Sequence, residues 1–201
     1  GDQFARENVM TKEEIFQTYK DCIMPTYTKM PYIFVKGKGM KLYDLDGREY
    51  LDFFPGWGVG NLGHCHPAVM SAVRDQIGKL IFVPNNYYHL PQAKLAKEII
   101  RVTFPGKVFF CNSGAEANEA AIKLARAYGS QSQGGARYEI LTFENAFHGR
   151  TLATITATGQ KKYQKGFEPL VEGCKTNLPF NNFEAVANAA SVKTIAVMME
   201  V

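Results

Sequence analysis

An apolar run that ends in a serine–glycine turn and opens directly into a long helical pattern constrains this chain more than any other feature. Lys107–Val108–Phe109–Phe110–Cys111 reads as a short strand, bounded upstream by Pro105 and Gly106. Asn112, Ser113 and Gly114 turn the chain, and Ala115 to Tyr128 is rich in good helix formers. Ala117, Ala121, Leu124, Ala125 and Tyr128 recur at helical spacing, so one face of that helix is buried. Ser113 and Glu116 have the spacing of a capping box, in which hydroxyl and carboxylate each satisfy an orphan backbone donor. Gly114 lets the backbone come close to a ligand, and the helix N-terminus offers N–H groups and a positive dipole end to a phosphate. The same pattern also suits an ordinary capped strand–turn–helix connection that binds nothing, and the residues alone leave both readings open.

Composition narrows the class. With 46% hydrophobic residues among 201, the chain can bury a substantial core. No apolar run reaches the roughly 18 residues needed to span a bilayer, so no membrane role is expected. Gly1 to Lys12 mixes acids, bases and amides, which reads against a signal peptide. Cys22, Cys65, Cys111 and Cys174 form no CxxC pair, as expected of free thiols in a cytoplasmic protein. The net charge of +4 is spread among acids. Its densest basic spot, Lys161, Lys162 and Lys165, reads as a solvated face, so no nucleic-acid partner is expected.

Thr11 to Tyr19 reads as a short amphipathic helix with Glu13 and Glu14 in its first turn. Ile33–Val35, Lys41–Asp44 and Tyr50–Phe53 read as strands of an antiparallel meander, with turns at Gly37–Gly39 and Leu45–Gly47. Helices are expected from Pro67 to about Leu80 and from Pro91 to about Val102, each with proline in its first turn. Arg137 to Phe143 reads as a strand, Asn182 to Ala190 as a helix, and Thr194 to Val201 as a strand. Helices alternating with strands beyond residue 65 imply a mainly parallel α/β layer, and residues 1–64 a separate antiparallel part. The sequence stops inside an apolar strand, so it is expected to be a piece of a longer chain.

Three further motifs bear on function. Gly58–Val59–Gly60–Asn61–Leu62–Gly63 matches GxGxxG, but His64–Cys65–His66–Pro67 intervenes before any helix, and a loop passing close to a ligand or neighbouring chain is the better reading. His64 and His66 read as turn-stabilising histidines, because no second pair has metal-ligand spacing. Phe147–His148–Gly149–Arg150–Thr151 directly follows the Arg137–Phe143 strand, where α/β sheets place their ligand crevice. Its aromatic and arginine could stack on a ring and fork onto a carboxylate, although taken alone the loop reads as a packed Phe beside a surface Arg.

In family order, LYDLDGREYLDF (42–53), NLGHCHP (61–67), NNYYHLPQAKLA (85–96), CNSGAEANEAAIKLAR (111–126), FENAFHGRT (143–151) and ATGQKKYQKGFEPL (157–170) resemble the class III, pyridoxal-phosphate-dependent aminotransferases. The resemblance implies the type I fold: a large α/β domain with a mainly parallel sheet, begun here by residues 65–201, and a small domain to which 1–64 contributes. It implies pyridoxal 5'-phosphate as cofactor and a homodimer with active sites at the subunit interface. By the same resemblance, Gly114 and Ala115 bind the cofactor phosphate, Ser113 caps that helix, Phe147 stacks on the pyridine ring, and His148 lies close to it. Arg150 holds the substrate carboxylate, Trp57 contacts substrate, and Tyr88 either reaches the substrate pocket, that of the partner subunit included, or is an interface aromatic. Trp57 departs from the family pattern: ornithine-specific members carry Tyr there and acetylornithine-specific members an aliphatic residue. The implied reaction is transamination of N-acetylornithine with 2-oxoglutarate in arginine biosynthesis, with ornithine, succinylornithine or 4-aminobutyrate as alternative donors. The family's Schiff-base lysine has no match in this sequence, Lys123 included, so no catalytic residue is expected among the 201 and this piece alone should be inactive. A non-catalytic fragment that binds a phosphate ligand is the alternative from another class.

Overall fold

The structure, a computed structural model, describes residues 10–132 and 135–200. Most of the N-terminal stretch read against a signal peptide, and Val201 at the end of the expected last strand, lie outside them. The chain divides between His89 and Leu90 into two units.

In the first unit, α1 (Lys12–Cys22) begins as the acids of its first turn anticipate. Thr11 Oγ1 accepts the Glu14 N–H at 3.2 Å and the Glu14 carboxylate accepts the Thr11 N–H at 2.7 Å, a complete capping box. Strands β1 (Phe34–Lys38), β2 (Lys41–Asp44) and β3 (Glu49–Leu51) form the expected antiparallel meander. Gly37 and Lys38 extend β1 instead of turning, because Lys38 pairs with Lys41 and leaves only Gly39 and Met40 for the bend. His64 stabilises this region: its main chain bridges Gly39, and its Nε2 lies 2.6 Å from Asp52 Oδ2. That hydrogen bond holds the Asp52 carboxyl below its usual range. The GxGxxG glycines lie in a run of turns, without a strand leading in or a helix opening directly behind. Helix α2 (Pro67–Ile77) follows with Pro67 at its start and stops short of the expected Leu80.

The second unit opens with α3 (Leu90–Val102), followed by α4 (Gly114–Ser132). A parallel sheet comes next: β4 (Glu139–Phe143) at its centre, β5 (Cys174–Leu178) on one side and β6 (Thr194–Val197) on the other. Ile140, Leu141, Thr142 and Phe143 are all buried, as a strand covered on both faces requires. Between β4 and β5 run α5 (Leu152–Ala157) and α6 (Lys161–Gln164), and α7 (Phe183–Ala189) leads to β6. The sequence pattern missed α5, α6 and β5. The β-branched run Thr151–Thr156 favours strand locally, and burial of Thr154 and Ile155 overrides it. Lys107–Cys111, expected as a strand, has no ladder partner among the described residues and is unpaired chain.

The path from β4 to β5 and back across to β6 makes β4 the point where the chain order reverses. Its carboxyl end is therefore where a ligand crevice forms. Gly159 fixes the close of that path: it bridges Glu144, and a Cβ there would collide with the Phe143 carbonyl. Replacing it forces the backbone apart at the end of the central strand. Gly159→Ala is expected to destabilise the protein by about 2 kcal/mol or more. An unchanged urea midpoint would show that this close approach is not needed.

Candidate functional site

Helix α4 begins at Gly114, and its first backbone N–H groups have no acceptor within the helix. Ser113 Oγ accepts the Glu116 N–H at 3.2 Å, the expected half of the capping box. The other half differs from expectation. The Glu116 carboxylate reaches one residue further back, accepting the Asn112 N–H at 2.5 Å and the Asn112 side-chain amide at 3.3 Å. These bonds, the Asn112 N–H foremost, hold the Glu116 carboxyl below its usual range and tie its charge to Asn112. A Cβ built on Gly114 would meet nothing within 4 Å, so the fold itself does not require glycine there.

Beyond β4, the chain runs through Ala146, Phe147, His148, Gly149 and Arg150 into α5. Gly149 has φ of 137°, and a Cβ on it would lie 2.8 Å from Ala115 Cβ and 2.5 Å from Thr154 Oγ1. Only glycine permits that approach, which seats the loop directly against the first turn of α4. Two polar contacts secure it: the Asn118 amide donates to the His148 carbonyl at 2.8 Å, and the Thr151 hydroxyl donates to Glu119. The His148 N–H donates to Thr158 Oγ1 at 3.0 Å, and the Phe147 N–H donates to Glu200 Oε2 at 2.9 Å, linking the loop to the segment after β6.

Phe147 is 43% exposed, with one edge toward Tyr163. His148 is 4% exposed, and its Nε2 is buried without a hydrogen-bond partner among the described residues. Burial lowers the His148 pKa, and the Glu200 carboxylate acts in the opposite direction. Arg150 is exposed. Asn118, Ala121, Phe147, His148, Met198 and Glu200 help line a cleft of about 470 Å³.

The structure thus brings Ser113, Gly114, Ala115, Phe147, His148 and Arg150 together at one end of the second unit. Trp57 and Tyr88 belong to the first unit. Trp57 is 89% exposed, with φ of 52°, a conformation uncommon for a bulky residue, and it packs edge-on against Phe54. Tyr88 is fully exposed. Sequence reasoning missed Asn118, Thr158 and Glu200. The helical spacing of Asn118 from Gly114 is the one signal that could have found any of them.

The family model for class-III aminotransferases matches residues 22–200. The chain belongs to that family. Among curated relatives, the acetylornithine aminotransferase of Methanocaldococcus jannaschii is 49% identical over 95% of this chain and 48% of its own length. The succinylornithine transaminase of Photorhabdus laumondii is 44% identical over 90% of this chain and 45% of its own. The chain therefore spans about half the length of these class-III relatives. The fold matches a solved ornithine aminotransferase from Toxoplasma gondii, described as having partial occupancy of PLP at its active site. The TM-score is 0.86 at 24% identity, covering 93% of this chain and 44% of that one. The large parallel α/β layer with an antiparallel meander is that type I fold.

His148 generates a pH signature. Its folded pKa lies below its unfolded value of about 6.5, so the unfolded chain takes up the proton first as pH falls. The stability from keeping it neutral is complete above that pH and declines as pH drops below it. His148→Gln should flatten the urea midpoint between about pH 6.5 and 5, relative to the unsubstituted protein. An identical slope in both would assign the loss to other groups.

Proposed function

We propose that the full-length protein carrying this chain is a pyridoxal-phosphate-dependent aminotransferase, with N-acetylornithine as amino donor and 2-oxoglutarate as acceptor. The observation that carries this reading is the seating of Gly149 against Ala115. It puts an open helix N-terminus, an exposed phenyl face and an arginine without a carboxylate partner among the described residues at one place.

These residues fit the cofactor. A Cβ on Gly114 would meet nothing within 4 Å, and the N–H groups of Gly114 and Ala115 suit a phosphate dianion at a helix start. Ser113 holds the turn, and Glu116, tied to Asn112, keeps its charge on that residue. Phe147 offers a flat apolar face to a heterocycle, and neutral His148 adds no charge beside it. When bound, pyridoxal phosphate supplies the electron sink that makes the amine-bearing carbon acidic. Arg150 presents a planar fork that grips a carboxylate at two points and orients the donor, which a lysine would do less well. The Schiff-base lysine is proposed to lie in sequence beyond this chain. A cytoplasmic homodimer is part of this proposal and rests on the family resemblance; Phe53, Phe54, Trp57 and Tyr88 are each exposed on the first unit.

Succinylornithine is the second donor reading, favoured by the relative of that name. Steady-state comparison of donors on the full-length protein decides. N-Acetylornithine should give the highest kcat/KM, and equal or better turnover of ornithine or 4-aminobutyrate would overturn the assignment. Gly114→Val tests the phosphate cup separately. It should leave the melting temperature of the cofactor-free protein within a degree or two while pyridoxal phosphate is lost on dialysis. Full retention would remove the cup from this turn.

A further inference from the structure

We infer that Tyr163 is a positioning residue for Arg150, and that α6 exists to hold it there. This rests on the carboxylate role proposed above for Arg150. The Arg150 Cζ lies 4.1 Å from the centroid of the Tyr163 ring and 5.5 Å from that of Phe147. The two rings meet nearly at right angles, 81°, with centroids 6.0 Å apart. Both distances fall within the range where a guanidinium is attracted to a ring face, and Tyr163 is the closer platform.

The chemistry of that platform matters. Among the described residues, no carboxylate lies within ion-pair distance of Arg150. An acidic neighbour could also have fixed the guanidinium, but it would occupy the N–H fork and cancel the charge an incoming carboxylate needs. A ring contacts the flat face and uses no N–H donor, so the fork stays free while the plane is set. Less side-chain entropy then remains to be lost on binding.

Tyr163 is placed by an anchored turn. Gln164, next to it, is buried, and its amide lies 3.3, 3.1 and 2.9 Å from the carbonyls of Ile155, Thr156 and Thr158 at the end of α5. Gln160, at the other end of α6, donates to the carbonyls of Asn145 and Ala146 at 3.1 and 3.3 Å, on the approach to Phe147. The four-residue helix is therefore bonded at one end to the loop that carries Arg150 and at the other to the helix that follows it. Nothing in its length or sequence would make it stable alone.

The test uses the full-length holoenzyme. Tyr163→Leu keeps bulk but removes the ring, and should raise the KM of the carboxylate-bearing donor roughly tenfold, with kcat changed less than threefold and the bound-cofactor absorbance intact. Tyr163→Phe, which keeps the ring, should restore KM to within about twofold of the unsubstituted enzyme. Tyr163→Glu should raise KM further than Leu, by pairing with the fork. If Leu does not give folded protein, Tyr163→Met replaces it. Arg150→Lys is run alongside. If it raises KM and Tyr163→Leu does not, the positioning role is wrong and the carboxylate role stands. If Arg150→Lys leaves KM unchanged, both are overturned. A Tyr163→Leu enzyme that loses kcat and cofactor together, with KM unmoved, reduces Tyr163 to packing and overturns the inference.

Discussion

The approach of Gly149 to Ala115 and Thr154 sets the geometry on which everything else at this end of the sheet depends. Any side chain at Gly149 would drive the loop off the helix, since the neighbouring atoms lie 2.5 to 2.9 Å from where its Cβ would be. Once the loop is seated, the Asn118 amide, the Thr158 hydroxyl and the Glu200 carboxylate take up its backbone groups one after another. Each of those bonds is worth on the order of 1 kcal/mol. They stabilise a path that the glycine makes sterically possible.

The sheet supplies the other half of the arrangement. Because β5 and β6 flank β4 on opposite sides of a parallel sheet, the segments leaving β4 and β6 both emerge at the carboxyl end. Phe147 and Glu200 arrive there from different strands and meet through one hydrogen bond. A site assembled from three connections around a buried strand keeps its shape, since β4 is closed to water on both faces.

Much of this was legible in the sequence, for identifiable reasons. The long helix after Ser113 and the central strand stand where they were expected, but the helix turns a different face inward: Leu124 and Tyr128, expected to be buried, are exposed, and Ile122 and Gly129 are buried instead. The turn before α4 was read correctly in type but not in detail: Glu116 answers Asn112 rather than Ser113, a shift of one residue that no spacing rule resolves. Lys107–Cys111 has the composition of a strand, yet a strand is a pairing, and no partner for it is among the described residues. The polar β5, Cys-Lys-Thr-Asn-Leu, gives little strand signal and owes its conformation to pairing with β4. Within the loop, the position after a strand marked Phe147, His148 and Arg150 as candidates, while residue type alone read as a packed Phe beside a surface Arg and only the family resemblance gave them roles. The Tyr163 platform was not, because a four-residue helix has no periodicity to read.

The bonds that tie α6 in place come from carboxamides and accept at peptide carbonyls, so no formal charge takes part in them. Ionic strength has little purchase on such a brace, because the Debye atmosphere weakens charge pairs far more than neutral dipoles. A cell whose potassium content swings widely would thus alter how strongly charged metabolites are drawn to Arg150 while leaving the aim of its guanidinium unchanged.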